Sequence, residues 1–193
     1  TMNMTREFGL KVGIITFFCD AFKGGIPALI SYFVYRKYCF AGTNVLVSDF
    51  TRYFCGVWVI IGHIFPVTMK FKGGKGIAST LGLFWINLGC ENPWFLLIGF
   101  AAFWLIAFYI VATEWGSMGS LIGVAGFGLW QGVIFFLRYR SEPSNPYVII
   151  LFMLILAINI LTWVAHRKNI MRLLSGEEHH TSVKKMVHRK KKA

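Results

Sequence analysis

Six apolar runs separated by short polar stretches make up most of the chain; they cover about residues 11–35, 53–69, 77–89, 93–111, 117–137 and 147–165. A helix needs about 20 mostly apolar residues to cross a bilayer, and fewer when it is a half-helix packed inside protein. The third run is short enough to be of the second kind. The pattern predicts an all-α fold, a polytopic integral membrane helix bundle of about six spans. Residues 1–175 form this single bundle, and 176–193 form a polar, basic tail.

Composition agrees with the pattern. Of the 193 residues, 56% are hydrophobic and 17% aromatic, and mean hydropathy is +0.60. Soluble domains are about 45–50% apolar even with glycine counted, so a soluble core is excluded. The net charge of +12 would suggest nucleic acid in a soluble protein. Here the basic residues flank apolar spans, where they set topology and meet anionic lipid, so no nucleic-acid partner is expected. An even number of spans puts both termini on one side. That side receives fourteen of the 20 Lys and Arg, while Arg36, Lys37, Arg52, Arg138 and Arg140 fall opposite and Lys23 lies inside a span. Both ends are therefore expected in the cytoplasm. The 184–192 run reads as a lipid-facing polybasic tail. Cys19, Cys39, Cys55 and Cys90 show no metal-ligand spacing. Those in or beside the spans read as small buried hydrophobes, and Cys39 as a residue of an outer loop where a disulfide is conceivable. Carboxylates are few and scattered, so no metal site and no cofactor are expected. There is no signal-peptide pattern.

The polar motifs gather on the same side as the termini. Phe71-Lys72-Gly73-Gly74-Lys75-Gly76 lies between two spans and opens a helix. Glycines allow close backbone approach to an anion, lysines add charge, and a helix N-terminus supplies N–H donors. The spacing is not that of a nucleotide-binding P-loop. His63, just before it, is either a structural hydrogen bonder or a base. Asp20 and Lys23 stand at i, i+3 inside the first span, either as a structural ion pair or as part of a functional site. Ser117 and Ser120 open the fifth span as helix caps, which is compatible with anion contact. His166, Asn169 and Arg172 recur at i, i+3 and i+6 after the last span, close enough to one helical face to project together. An Arg there can grip phosphate with two bonds, and Asn169 can hold a carbonyl oxygen.

Taken in order and spacing, several segments carry a resemblance. They are Asn3-Met4-Thr5-Arg6, Phe17-Phe18-Cys19-Asp20-Ala21-Phe22-Lys23-Gly24, Gly62-His63-Ile64-Phe65-Pro66-Val67 with the glycine-lysine loop, and His166 with Asn169-Ile170 and Arg172-Leu173-Leu174. Together they are similar to the bacterial acyl-phosphate:glycerol-3-phosphate acyltransferases of phospholipid synthesis. The resemblance covers most of the chain. It implies acyl transfer from acyl phosphate to the sn-1 hydroxyl of glycerol 3-phosphate, giving lysophosphatidic acid, in the bacterial plasma membrane with the site on the cytoplasmic face. It implies catalytic roles for Asn169, His166 and Lys75. Substrate binding falls to Asn3, Arg6, Lys72, Gly73, Gly74, Gly76, His63, Ser117, Ser120, Arg172, Asp20 and Lys23. A monomer is expected. Soluble-type glycerolipid acyltransferases resemble one another in an H-x-x-x-x-D motif. Here the fifth position after His63 is Thr68 and after His166 is Met171, so the implied mechanism has no dedicated strong base. The family usually has one more N-terminal span and a Gly-Ser-Gly-Asn-type loop before the Asn-x-Thr-Arg segment. A sequence starting at Thr1 with neither reads as a truncated or divergent member. The competing readings are a small anion transporter or channel, for which no internal repeat is visible, and a non-catalytic membrane assembly factor.

Overall fold

In the computed structural model of the chain, residues 2–177 are described; the expected basic tail from 178 onward lies outside them. Eight α-helices follow one another: α1 Met2–Phe8, α2 Leu10–Tyr35, α3 Val47–Ile64, α4 Ile77–Glu91, α5 Trp94–Thr113, α6 Gly116–Arg138, α7 Pro146–Ala165 and α8 Arg167–Leu174. A short 3-10 turn, Val67–Met69, sits between α3 and α4. Among the described residues the only extended pairing is an isolated antiparallel bridge between Cys39 and Leu46.

The six expected runs each become a helix, but they are not alike. Five elements, 10–35, 47–69, 94–113, 116–138 and 146–165, are long and apolar enough to cross a membrane. The exception is α4. It has only 15 residues, of which nine, from Ala78 to Leu88, are buried. It forms the axis of the bundle, with α2, α3, α5, α6 and α7 packed around it. Its contact with α2 is close because small residues face each other: a methyl group on Gly24 would meet the Ser79 carbonyl, and one on Gly82 the Ala21 carbonyl. The outer helices turn apolar surface to lipid. α5 buries only Gly99 of its 20 residues. Cys19 shares this position and is exposed on α2, not buried as expected; Cys39 is also exposed, Cys55 and Cys90 are half-buried, and all four are free thiols.

The largest departure from expectation is at the start of α3, which begins at Val47 and not near Tyr53. Residues 47–52 are expected outside the second span, with Arg52 among the loop charges opposite the termini. Their charges are instead absorbed in a closed ring at one end of the bundle. Arg52 Nη2 donates to Asp49 Oδ1 at 2.5 Å and to Glu91 Oε1 at 2.7 Å. Arg138 Nη1 donates to Asp49 Oδ2 at 2.6 Å, and Arg138 also pairs with Glu91. Asp49 and Arg52 are 1% exposed and Glu91 is 4% exposed. Arg52 and Arg138 therefore belong to helices and are neutralised, not topogenic loop charges as expected. Tyr139 Oη donates to Asp49 Oδ2 at 2.7 Å and accepts the Leu46 N–H at 3.2 Å. Burial, followed by the adjacent Asp49 charge, pushes the Tyr139 phenol well above its usual pKa. Beyond the ring, Glu142 accepts from Asn44 and Asn145 side chains, each at 2.7 Å, and these bonds hold its carboxyl below the usual range. The two loops at this end, 36–46 and 139–145, are thus bonded to each other.

Candidate active site

The opposite end of the bundle carries the sequence-predicted site. Its first part is the loop entering α4. Lys70 and Phe71 adopt positive φ, of 51° and 60°, which reverses the chain after the 3-10 turn. Gly73 N–H then donates to Ile64 O and Gly74 N–H to His63 O, both at 3.1 Å. The two glycines seat the loop on the end of α3, whose last carbonyls would otherwise lack partners. A side chain at Gly73 would collide with the His63 carbonyl and Pro66, and one at Gly74 with the His63 ring. Gly76, at φ 81°, is the N-cap of α4, and only Thr80 N–H returns to it, at 2.8 Å to Gly76 O. The loop's anion-binding capacity thus resides in Lys72 and Lys75, both exposed, and in the first turn of α4, not in the N–H groups of Gly73 and Gly74.

The second part is α8. His166, 3% exposed, closes α7 and opens α8, with Nδ1 at 2.8 Å from Thr162 O. A carbonyl can only accept, so the proton on this bond is the ring's Nδ1–H and the other nitrogen is Nε2 turned away from α7. Asn169, one turn on, joins three elements. Its Oδ1 accepts from Lys75 Nζ at 2.7 Å, and its Nδ2 donates to Ser117 Oγ at 2.5 Å. Residues 75, 117 and 169 are thus brought together from the loop, the first turn of α6 and α8. Arg172 follows on the same side of α8, and its Nε is buried with no hydrogen-bond partner among the described residues. An unpaired buried guanidinium N–H is costly and calls for an acceptor. Ser120 does not join the cluster: its Oγ donates to Gly116 O of its own helix at 2.7 Å. The side chains of Asn3 and Arg6 lie outside the described residues.

Asp20, Lys23 and His63 form a third group beside the loop. Lys23 Nζ donates to Asp20 Oδ1 at 2.7 Å and lies 2.5 Å from His63 Nδ1. The sequence pattern flagged all three residues but not their meeting, since α2 and α3 come together only in the packed bundle. The loop end thus offers an ammonium and an amide in direct contact, with a guanidinium one turn further along α8 and a helix N-terminus next to the lysine. Such a set suits a phosphorylated ligand and an oxygen that gains negative charge.

Residues 1–176 match the family described as glycerol-3-phosphate acyltransferase. Curated relatives of that name include the following two. One, from Finegoldia magna, is 34% identical over 176 residues, covering 91% of this chain and 74% of the relative. The other, from Aquifex aeolicus, is 36% identical over 177 residues, covering 92% and 78%. The chain belongs to the glycerol-3-phosphate acyltransferase family. Its fold is also that of solved members. Crystal structures of PlsY (YgiH), an integral membrane glycerol 3-phosphate acyltransferase, superimpose with TM-scores of 0.66 for the lysphosphatidic acid form and 0.67 for the glycerol 3-phosphate form. Both are 26% identical to this chain; the first covers 97% of it and 81% of the solved chain, the second 96% and 79%. The family membership and the membrane-helix fold expected from sequence are thereby established.

Proposed function

We propose that this chain transfers an acyl group from acyl phosphate to the sn-1 hydroxyl of glycerol 3-phosphate, giving lysophosphatidic acid and inorganic phosphate. The observation that carries the reading is the Lys75–Asn169–Ser117 cluster with Arg172 beside it. Lys75, Lys72 and the start of α4 hold phosphate. Arg172, with Arg6, clamps glycerol 3-phosphate. Asn169 and His166 polarise the acyl carbonyl or orient the hydroxyl. In the reaction the carbonyl carbon's bond to the phosphate oxygen breaks and its bond to the glycerol oxygen forms. The hydroxyl proton passes to a substrate phosphate oxygen, so no protein base is required. Rate comes from positioning and from charge stabilisation at the carbonyl oxygen.

The excess of Lys and Arg on the side of the site supports a position on the cytoplasmic face of a bacterial plasma membrane, with both ends on that side. All the groups named come from one chain, which supports action as a monomer. The test is transfer of labelled glycerol 3-phosphate into lipid by the purified full chain. Palmitoyl phosphate is the donor and palmitoyl-CoA the control. Product that depends on the acyl phosphate is expected. Equal transfer from the thioester would sink the donor assignment, and phosphate uptake into liposomes without any transfer would favour transport.

A further inference from the structure

Asp20, Lys23 and His63 have no role in that scheme, yet their geometry is specific. An ammonium has three donors and no acceptor, so in the 2.5 Å contact with Lys23 it is His63 Nδ1 that accepts. The ring is then neutral with its proton on Nε2. Asp20 Oδ1 lies 3.6 Å from the same Nδ1, too far for a hydrogen bond, and holds the ammonium instead. The far edge of the ring is covered by the loop. A methyl group on Gly74 would overlap Nε2 and stand 3.0 Å from Cδ2 and Cε1. The Gly74 N–H is bound to His63 O. Gly74 is therefore registered against His63 through both backbone and ring, and the next residue is Lys75.

The charges on Asp20 and Lys23 cancel at 2.7 Å, so together they offer a phosphate dianion little net attraction. What the pair does fix is the orientation of Nδ1, and through it the plane of the ring. We propose that Asp20, Lys23 and His63 are positioning residues. They form a strut from α2 through α3 to Gly74 that sets where the Lys75 ammonium stands relative to Asn169. The proposal rests on the reading of Lys75 as a phosphate ligand.

A double-mutant cycle tests it. The positive-φ glycines among the described residues are Gly9, Gly42, Gly76 and Gly176, so alanine fits the backbone at 74, and the atoms nearest its methyl are those of the His63 ring. In the full chain in nanodiscs, Gly74→Ala is expected to lower kcat/KM about tenfold, mainly by raising KM, and His63→Ala to act in the same sense. The double variant is expected to be no worse than Gly74→Ala alone, because removing the ring makes room for the methyl. Multiplying penalties would overturn the strut. A second readout needs no activity: nitrogen NMR of histidine-labelled protein, with His63→Ala to assign the signal. The wild type is expected to show Nε2 protonated and Nδ1 as acceptor, and Lys23→Met to lose that single tautomer. A wild-type ring protonated on Nδ1 overturns the proposal. If the wild type transfers no acyl group, the functional reading falls and the NMR result alone decides the strut.

Discussion

The two ends of this bundle spend their charges differently. At the ring end, two arginines and two carboxylates saturate one another at 1–4% exposure, apart from the 32% of Arg138. At the loop end, Lys70, Lys72, Arg167, Lys168 and Arg172 have no carboxylate within ion-pairing distance among the described residues. The ring-end loops also carry exposed cations, Arg36, Lys37 and Arg140, but only the loop end sets its cations beside a buried guanidinium N–H that has no partner among the described residues. An intramembrane charge is costly in either place. Mutual neutralisation offsets the cost at the ring end; at the loop end the proposed function gives that part to a phosphorylated substrate. Stability and activity should therefore separate by end.

The largest effect is expected at the ring. Glu91→Ala leaves Arg52 buried with one partner removed, a change that costs about 3–5 kcal/mol in such settings. The midpoint of thermal unfolding in detergent should fall sharply, while the fraction still folded keeps its KM for glycerol 3-phosphate. A raised KM with unchanged unfolding would invert the division. Lys75→Ala is the complementary test. It should cut kcat/KM by about 10²–10³-fold, the range found for lost charge-stabilising donors, with little change in unfolding. Normal turnover by that variant would remove the loop from the site. The smallest effect concerns Glu142. Its carboxyl is held below the ordinary range, so its bonds to Asn145 and Asn44 are intact at neutral pH. They are lost as pH falls below the ordinary carboxylate range and through the depressed folded value. Hydrogen exchange in the 36–46 loop should rise over that acid window in the wild type. Glu142→Gln should abolish the pH dependence; an unchanged profile would show that another group links the loops.

The helices were legible because each apolar run is long compared with the turns between them. The sequence could not say which apolar surface meets lipid and which meets protein, since both are apolar; hence Cys19 was expected inside and lies outside. The start of α3 was hidden for a different reason. Asp49 and Arg52 look like loop residues until Glu91 and Arg138 arrive from elsewhere in the chain to pair them. At the site, Lys75, Ser117, His166, Asn169 and Arg172 could each be named from residue type and spacing. That Asn169 bridges the lysine and the serine could not, because it depends on how α8 lies against α6. Gly73 and Gly74 show the limit most directly. Their spacing says that something approaches closely, but not that it is the end of α3.

The shortness of α4 has a consequence for depth. Fifteen residues at 1.5 Å each make a helix about 22 Å long, against about 30 Å of hydrocarbon. Its two ends cannot both reach the level of the headgroups. With Lys75 read as a phosphate ligand, the proposed site stands at one end of a helix too short to span the hydrocarbon, close to the acyl layer. A water-borne phosphate can reach that end over the exposed 71–75 loop. An acyl chain need not be raised out of the bilayer to meet it, which would cost about 0.8 kcal/mol for every methylene drawn into water.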